Sequence, residues 1–246
     1  MFSVAEIALL FRLPASLPGT AWTSHFRGNV SSRPTSAAVP PPPAAKELDP
    51  VINEWEARRP VVRCHHSSFG ATEFNRTASA GRFRPVRSRG RIVGTLYGAD
   101  SDAGAVAEHV FRPVPVAAEV RRVRRARLVP LLISTIAVRR ALRLAALHGN
   151  GPRRLGATRA QLIDSEADQY PALSAWGQAL HDCRAEPDGL VWRSRQYDDA
   201  YVLVLFADRV PRREVEVVEP PLPLAIGRGL DRVMELAEQA GITLVE

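Results

Sequence analysis

The sequence predicts an α+β fold, a mixed β-sheet core with flanking helices. Strand-like and helix-like runs intermingle from Lys46 onward without a strict strand–helix–strand rhythm, so a doubly wound parallel sheet is not indicated. One run, YVLVLF from Tyr201 to Phe206, is apolar on both faces, as a strand inside a doubly covered sheet must be. The chain has 246 residues with an ordinary apolar fraction of 46%, enough for a sizeable core.

Residues 1–45 are rich in Ser, Pro, Ala and Thr and end in VPPPPAA. Such a segment buries little, so it reads as a disordered extension or tether. The globular part spans 46–246. A short helix or turn is expected around Pro50 to Arg58, then a strand at Val61 to Cys64 and a loop of small residues from His66 to Gly81. Ile92 to Tyr97 reads as a strand. Asp100 or Ser101 follows as an N-cap, its side-chain oxygen accepting an orphan amide of the next helix. That helix runs from Ser101 to Phe111. Val114 to Val123 is strand-like. Leu131 to Leu147 reads as a helix stopped by Gly149-Asn150-Gly151. Pro171 suits the first turn of a helix reaching about Cys183. Gly189 to Arg195 and Tyr201 to Ala207 form a hairpin around Gln196 to Asp199. A last helix, Leu230 to Ala240, ends at Gly241.

The net charge is +7, and the excess is local. Between Arg112 and Arg159 twelve arginines face one acid, Glu119, a balance of +11 that leaves −4 for the rest of the chain. RRVRRAR (Arg121 to Arg127) suits a polyanion or an acidic protein, but it lacks the interleaved aromatics of a base-stacking platform. A basic, non-enzymatic binding module is therefore one reading. Two cysteines, Cys64 and Cys183, lack C-x-x-C spacing and suit a reducing compartment. His65-His66 has no ligand-spaced partners, so no metal is expected. No P-loop and no G-x-G-x-x-G follows a strand. The apolar stretch from Leu128 to Val138 is too short to span a bilayer, and a cytoplasmic protein is expected.

Five residues are candidates for chemistry or binding. Glu108 falls just beyond the apolar stripe of its helix, one turn after Gly104, where a carboxylate faces either a cleft or Arg112 at i+4. Ser194 shares strand parity with Leu190 and Trp192 and sits at the end of an apolar face. It has no nucleophile elbow. Arg63 and Arg82 offer planar forks suited to phosphate, or are surface arginines. Tyr97 either stacks on a ligand or packs in the core.

PVVRCHH with Arg63, LYGADSDAGAVAEHVF with Tyr97 and Glu108, DQYPALSAWGQALHD, and DGLVWRSRQ with Ser194 occur in an order that resembles the RES-domain family, named for an arginine, a glutamate and a serine. The resemblance covers roughly Pro60 to Val210. It implies an ADP-ribosyltransferase-like fold around a cleft for NAD, and cleavage of the nicotinamide–ribose bond with phosphate or water as acceptor. NAD is then substrate, with inorganic phosphate as a candidate co-substrate and no bound cofactor. Glu108, Arg63 and Ser194 are implied as catalytic residues, with Tyr97 and Arg82 binding substrate. The implied setting is a toxin neutralised by a helix-turn-helix antitoxin, and a homodimer is compatible with it. Transfer of ADP-ribose to a macromolecule would use the same cleft.

Overall fold

The computed structural model describes residues 37–115 and 117–246, so most of the expected disordered extension at 1–45 lies outside the described residues. The strands are β1 (Ile52–Trp55), β2 (Val61–His66), β3 (Val86–Ser88), β4 (Arg91–Val93) and β5 (Thr95–Ala99), followed by β6 (Arg122–Arg124), β7 (Leu131–Val138), β8 (Leu142–Ala146), β9 (Gly189–Arg193), β10 (Tyr201–Phe206), β11 (Val215–Pro223) and β12 (Thr243–Val245). The helices are α1 (Asp102–Val106), which continues as a π-helical turn over Ala107–Phe111, α2 (Gly151–Arg154), α3 (Arg159–Leu162), α4 (Tyr170–His181) and α5 (Gly227–Gln239).

Eight strands make one sheet in the order β1-β8-β9-β10-β5-β2-β7-β11. It is mixed: β8 and β9 are parallel, and the other neighbours are antiparallel. The fold is α+β, as the sequence predicts. YVLVLF becomes β10, fourth in the order, with Val202, Val204 and Phe206 in one hydrophobic cluster and Leu203 and Leu205 in another. α4 covers the first face through Leu173, Trp176 and Leu180. The third cluster joins α1, the π turn, β6 and α5.

The sheet is nearly split between β2 and β5, which share a single register pair, Val62 with Ala99. Among the described residues no further register pair joins the two strands. The chain from Ser67 to Gly81 crosses on the β5 side instead, through a bridge between Asn75 and Thr95.

Several sequence expectations change. Pro50 to Arg58 holds β1 and a turn rather than a helix, and Ile92 to Tyr97 breaks at Gly94 into β4 and β5. Of Val114 to Val123 only the end joins a strand, since Pro113 and Pro115 have no amide to donate. The largest difference is Leu131 to Leu147, which forms β7 and β8 rather than a helix. Ile133, Thr135, Ile136 and Val138 are β-branched, and the pairing of β7 with β2 and β11 satisfies the backbone across both flanks. The Ala, Leu and Arg content of β8 favours a helix locally, and tertiary pairing overrides it. Gly149 does adopt a left-handed φ of 55°, but after a strand. The packed domain also begins ahead of Lys46: the indole N–H of buried Trp176 donates to the Pro40 carbonyl at 2.7 Å, and the Val39 amide donates to Gln169 Oε1.

Candidate active site

A cavity of about 350 Å³ opens where β2 and β5 part. It is lined by Arg63 to His66, by Thr95 and Tyr97 to Ala99, by Gly104, Ala105, Glu108, His109 and Arg112, and by Trp192 and Tyr170. Its size suits a small-molecule site. Four arginines, Arg63, Arg82, Arg84 and Arg112, face one carboxylate in the lining, Glu108, so the cavity favours anions.

The helical wall is built locally. The Ser101 hydroxyl accepts the Gly104 amide at 3.2 Å and starts α1. Gly104 lets α1 lie against the sheet, because a Cβ there would stand 2.5 Å from that of Ala200. The helix then widens into the π turn that carries Glu108, a device frequent at functional sites. An ion pair from Arg232 of α5 to Asp102 fixes the start of α1, at 2.6 Å, and the guanidinium holds the Asp102 carboxyl below its ordinary range.

Glu108 is half-buried and held through one oxygen. Its Oε1 accepts the Ser194 hydroxyl at 2.6 Å and the Arg195 amide at 3.0 Å. Among the described residues nothing engages Oε2. Glu108 therefore faces the cavity and pairs with Ser194 rather than with Arg112.

Ser194 is fully buried and is not part of the lining. Its proton goes to Glu108, and its oxygen accepts the amides of Gln196 and Tyr197 at 3.0 Å each. A hydroxyl has one donor and two acceptor sites, so none is left for a ligand. In this arrangement Ser194 holds the Glu108 carboxylate through Oε1.

The two candidate arginines serve the scaffold first. Arg63 lies between Val62 and Cys64, which pack with the first cluster, and so points to the opposite face. There its Nη1 donates to the carbonyls of Gly70, Ala71 and Glu73, at 2.7 Å for Glu73, and braces the loop beside the cavity. Arg82 engages Nη1 with the carbonyls of Leu162 and Ile163, and Nη2 with that of Ser165. These bonds use three of its five N–H donors and clamp the turn after α3. Burial lowers both guanidiniums to about 10, and both stay charged at neutral pH.

Tyr97 packs against the core and also lines the cavity. Its hydroxyl donates to the Arg82 carbonyl, while its ring meets Trp192 edge-on at 6.5 Å and lines the cavity. Burial raises its hydroxyl well above the ordinary phenol range. His65 pairs with the Ser134 hydroxyl at 2.9 Å, and burial disfavours its charged form.

Sequence reasoning missed Arg112 as a site residue, treating it only as a partner for Glu108. Its guanidinium lies 5.3 Å from the centre of the Tyr170 ring at the cavity wall and, among the described residues, makes no hydrogen bond or ion pair. Trp192 was visible through its shared parity with Ser194. Tyr170 carried no signal beyond its place before Pro171.

Among the described residues no group of three or more His, Cys, Asp or Glu is placed to hold a metal, and no helix is long and apolar enough to cross a membrane. Comparison with curated proteins and with solved structures returned no match. A family model described as the RES domain matches residues 60–226, from the start of β2 to the start of α5. That span contains every lining residue of the cavity and both ends of the Glu108–Ser194 pair. The chain belongs to the RES-domain family.

Proposed function

We propose that the protein cleaves the nicotinamide–ribose bond of NAD, with phosphate or water as acceptor, and acts as a toxin restrained by a helix-turn-helix partner. Membership of a family of NAD-degrading enzymes supports this reading. The observation that carries it is the Glu108 carboxylate, pinned through one oxygen by Ser194 and Arg195, with the other oxygen open beside an arginine-lined cavity.

The chemistry follows from that placement. As the glycosidic C–N bond breaks, its electron pair leaves with the pyridinium nitrogen and neutralises nicotinamide. Positive charge builds on the ribose ring, and a fixed carboxylate beside it lowers the barrier. The acceptor oxygen then bonds to the anomeric carbon and loses its proton. Oε2 of Glu108 is the group for the cationic ribose, while Ser194 and Arg195 hold the carboxylate so that it need not reorganise. Tyr97 and Trp192 give the nicotinamide ring an aromatic wall. Arg112 is the cation for the pyrophosphate: among the described residues its guanidinium at the cavity wall makes no hydrogen bond or ion pair, whereas the Arg82 fork meets three carbonyls. Arg63 supports the same wall through the loop it braces.

The test is to incubate purified protein with NAD, with and without inorganic phosphate, and follow the products by chromatography. Free nicotinamide with ADP-ribose names water as acceptor, and a phosphorylated ADP-ribose names phosphate. Label transferred to a macromolecule would instead mark a transferase. No nicotinamide release from folded protein contradicts the proposal.

A further inference from the structure

Thr95 is 2% exposed, yet its hydroxyl finds no hydrogen-bond partner among the described residues, and the residue lines the cavity. A buried hydroxyl without a partner is a cost to the folded protein, and a threonine in mid-core is readily replaced by valine without it. Its backbone is fully engaged: the Thr95 amide and carbonyl exchange bonds with Asn75, and the residue sits opposite Phe206 in the register. Only the hydroxyl is left over.

The strand fixes where that hydroxyl lies. Thr95, Tyr97 and Ala99 share one face of β5, the face whose β10 partners Phe206, Val204 and Val202 belong to the first cluster with Trp192. Thr95 and Tyr97 are therefore neighbours about 7 Å apart along the strand. One offers an aromatic ring whose own hydroxyl is already used, and the other an unused hydroxyl. A planar heterocycle against Tyr97 and Trp192 would present its substituent to Thr95. A neutral group able both to accept and to donate matches a hydroxyl, which has both capacities.

We propose that the Thr95 hydroxyl binds the carboxamide of the nicotinamide ring, and so selects amide-bearing pyridines at this end of the cavity. The proposal rests on the NAD-cleaving reading for its choice of ligand, but its test requires no turnover. Free nicotinamide and ADP-ribose, the two halves of the substrate, are titrated separately by ligand-observed NMR against wild type, Thr95→Val and Thr95→Ser. Thr95→Val should weaken nicotinamide about tenfold, the worth of one hydrogen bond, and leave ADP-ribose unchanged. Thr95→Ser, which keeps the hydroxyl, should retain nicotinamide binding. The thermal midpoint of ligand-free Thr95→Val should rise, because the variant removes an unpartnered buried hydroxyl. A merely structural threonine would not couple a gain in stability to a loss of one ligand.

Equal nicotinamide affinity in wild type and Thr95→Val overturns the proposal, as does an equal loss for both ligands. If wild type binds nicotinamide through Thr95 but never cleaves NAD, the catalytic reading fails and this one stands. If wild type cleaves NAD and Thr95→Val binds nicotinamide as well as wild type does, the reverse holds. Binding of neither half by folded wild type overturns both.

Discussion

Glu108 and Arg82 line one cavity and are held in opposite ways. Glu108 sits on the helical wall, in the π turn after α1, with one oxygen fixed and the other open. Arg82 sits beside the loop wall, with both terminal nitrogens donating to the carbonyls of Leu162, Ile163 and Ser165. Both lie within the span matched by the RES domain, and both line the cavity. What separates them is what each holds: Arg82 meets three carbonyls of one turn, whereas Glu108 meets Ser194 and Arg195 through a single oxygen. Among the described residues Glu108 keeps one oxygen unengaged, and Arg82 spends three donors on the turn after α3.

Substitutions should break along that line. The largest effect is expected for Glu108→Gln, which keeps shape but removes the charge: kcat should fall about a thousandfold, or about 4 kcal/mol of barrier, with the thermal midpoint nearly unmoved. Arg82→Met should do the opposite. It leaves three carbonyls without their donor, so unfolding in urea should show a loss of about 3 kcal/mol. Activity below the new midpoint should survive in proportion to the folded fraction. Ser194→Ala comes next and sharpens the comparison, since Ser194 belongs to the fold and acts through Glu108. Steady-state kinetics should show kcat reduced by about 2 kcal/mol of barrier with KM unchanged. A change in KM alone would give Ser194 a direct contact with substrate.

The smallest effect lies away from the cavity, at His181 on the last turn of α4. Its ring is buried between Asp182 at 2.7 Å and Asp208 at 3.0 Å. Burial alone would lower its proton affinity, but the hydrogen bonds its ring donates to both carboxylates outweigh it and raise the group above its ordinary 6.5. The stabilisation is therefore complete below pH 6.5 and is lost as pH rises through the raised value. For Asp208, burial raises the carboxyl but the bond to His181 prevails and lowers it below its ordinary 3.8. Its contribution is present above that pH and lost as acid titrates it. The thermal midpoint should fall between neutral and mildly alkaline pH in wild type and hold level in His181→Gln.

Legibility in the sequence followed the range of the forces involved. The hairpin β9–β10, α4 after Pro171 and the Ser101 cap rest on local patterns, and each stands where the sequence predicts it. Leu131 to Leu147 does not, because its partners β2, β11, β1 and β9 come from distant parts of the chain and no local pattern names them. The site divides in the same way. Glu108 was visible at the edge of an apolar stripe, one turn after Gly104. The bonding of Ser194 and Arg82 was not, since it depends on the amides of Gln196 and Tyr197 and on carbonyls about eighty residues away. Thr95 carries no sequence signal, because an unpartnered hydroxyl exists only once the sheet has closed around it.

The most direct test sets wild type and Glu108→Gln side by side, with NAD as substrate, nicotinamide release as the rate and thermal melting as the control. The account predicts release by wild type, its near-abolition in the variant, and superimposable melting curves. Equal rates in the two proteins, or a variant that fails to fold, would place Glu108 in the scaffold and contradict it.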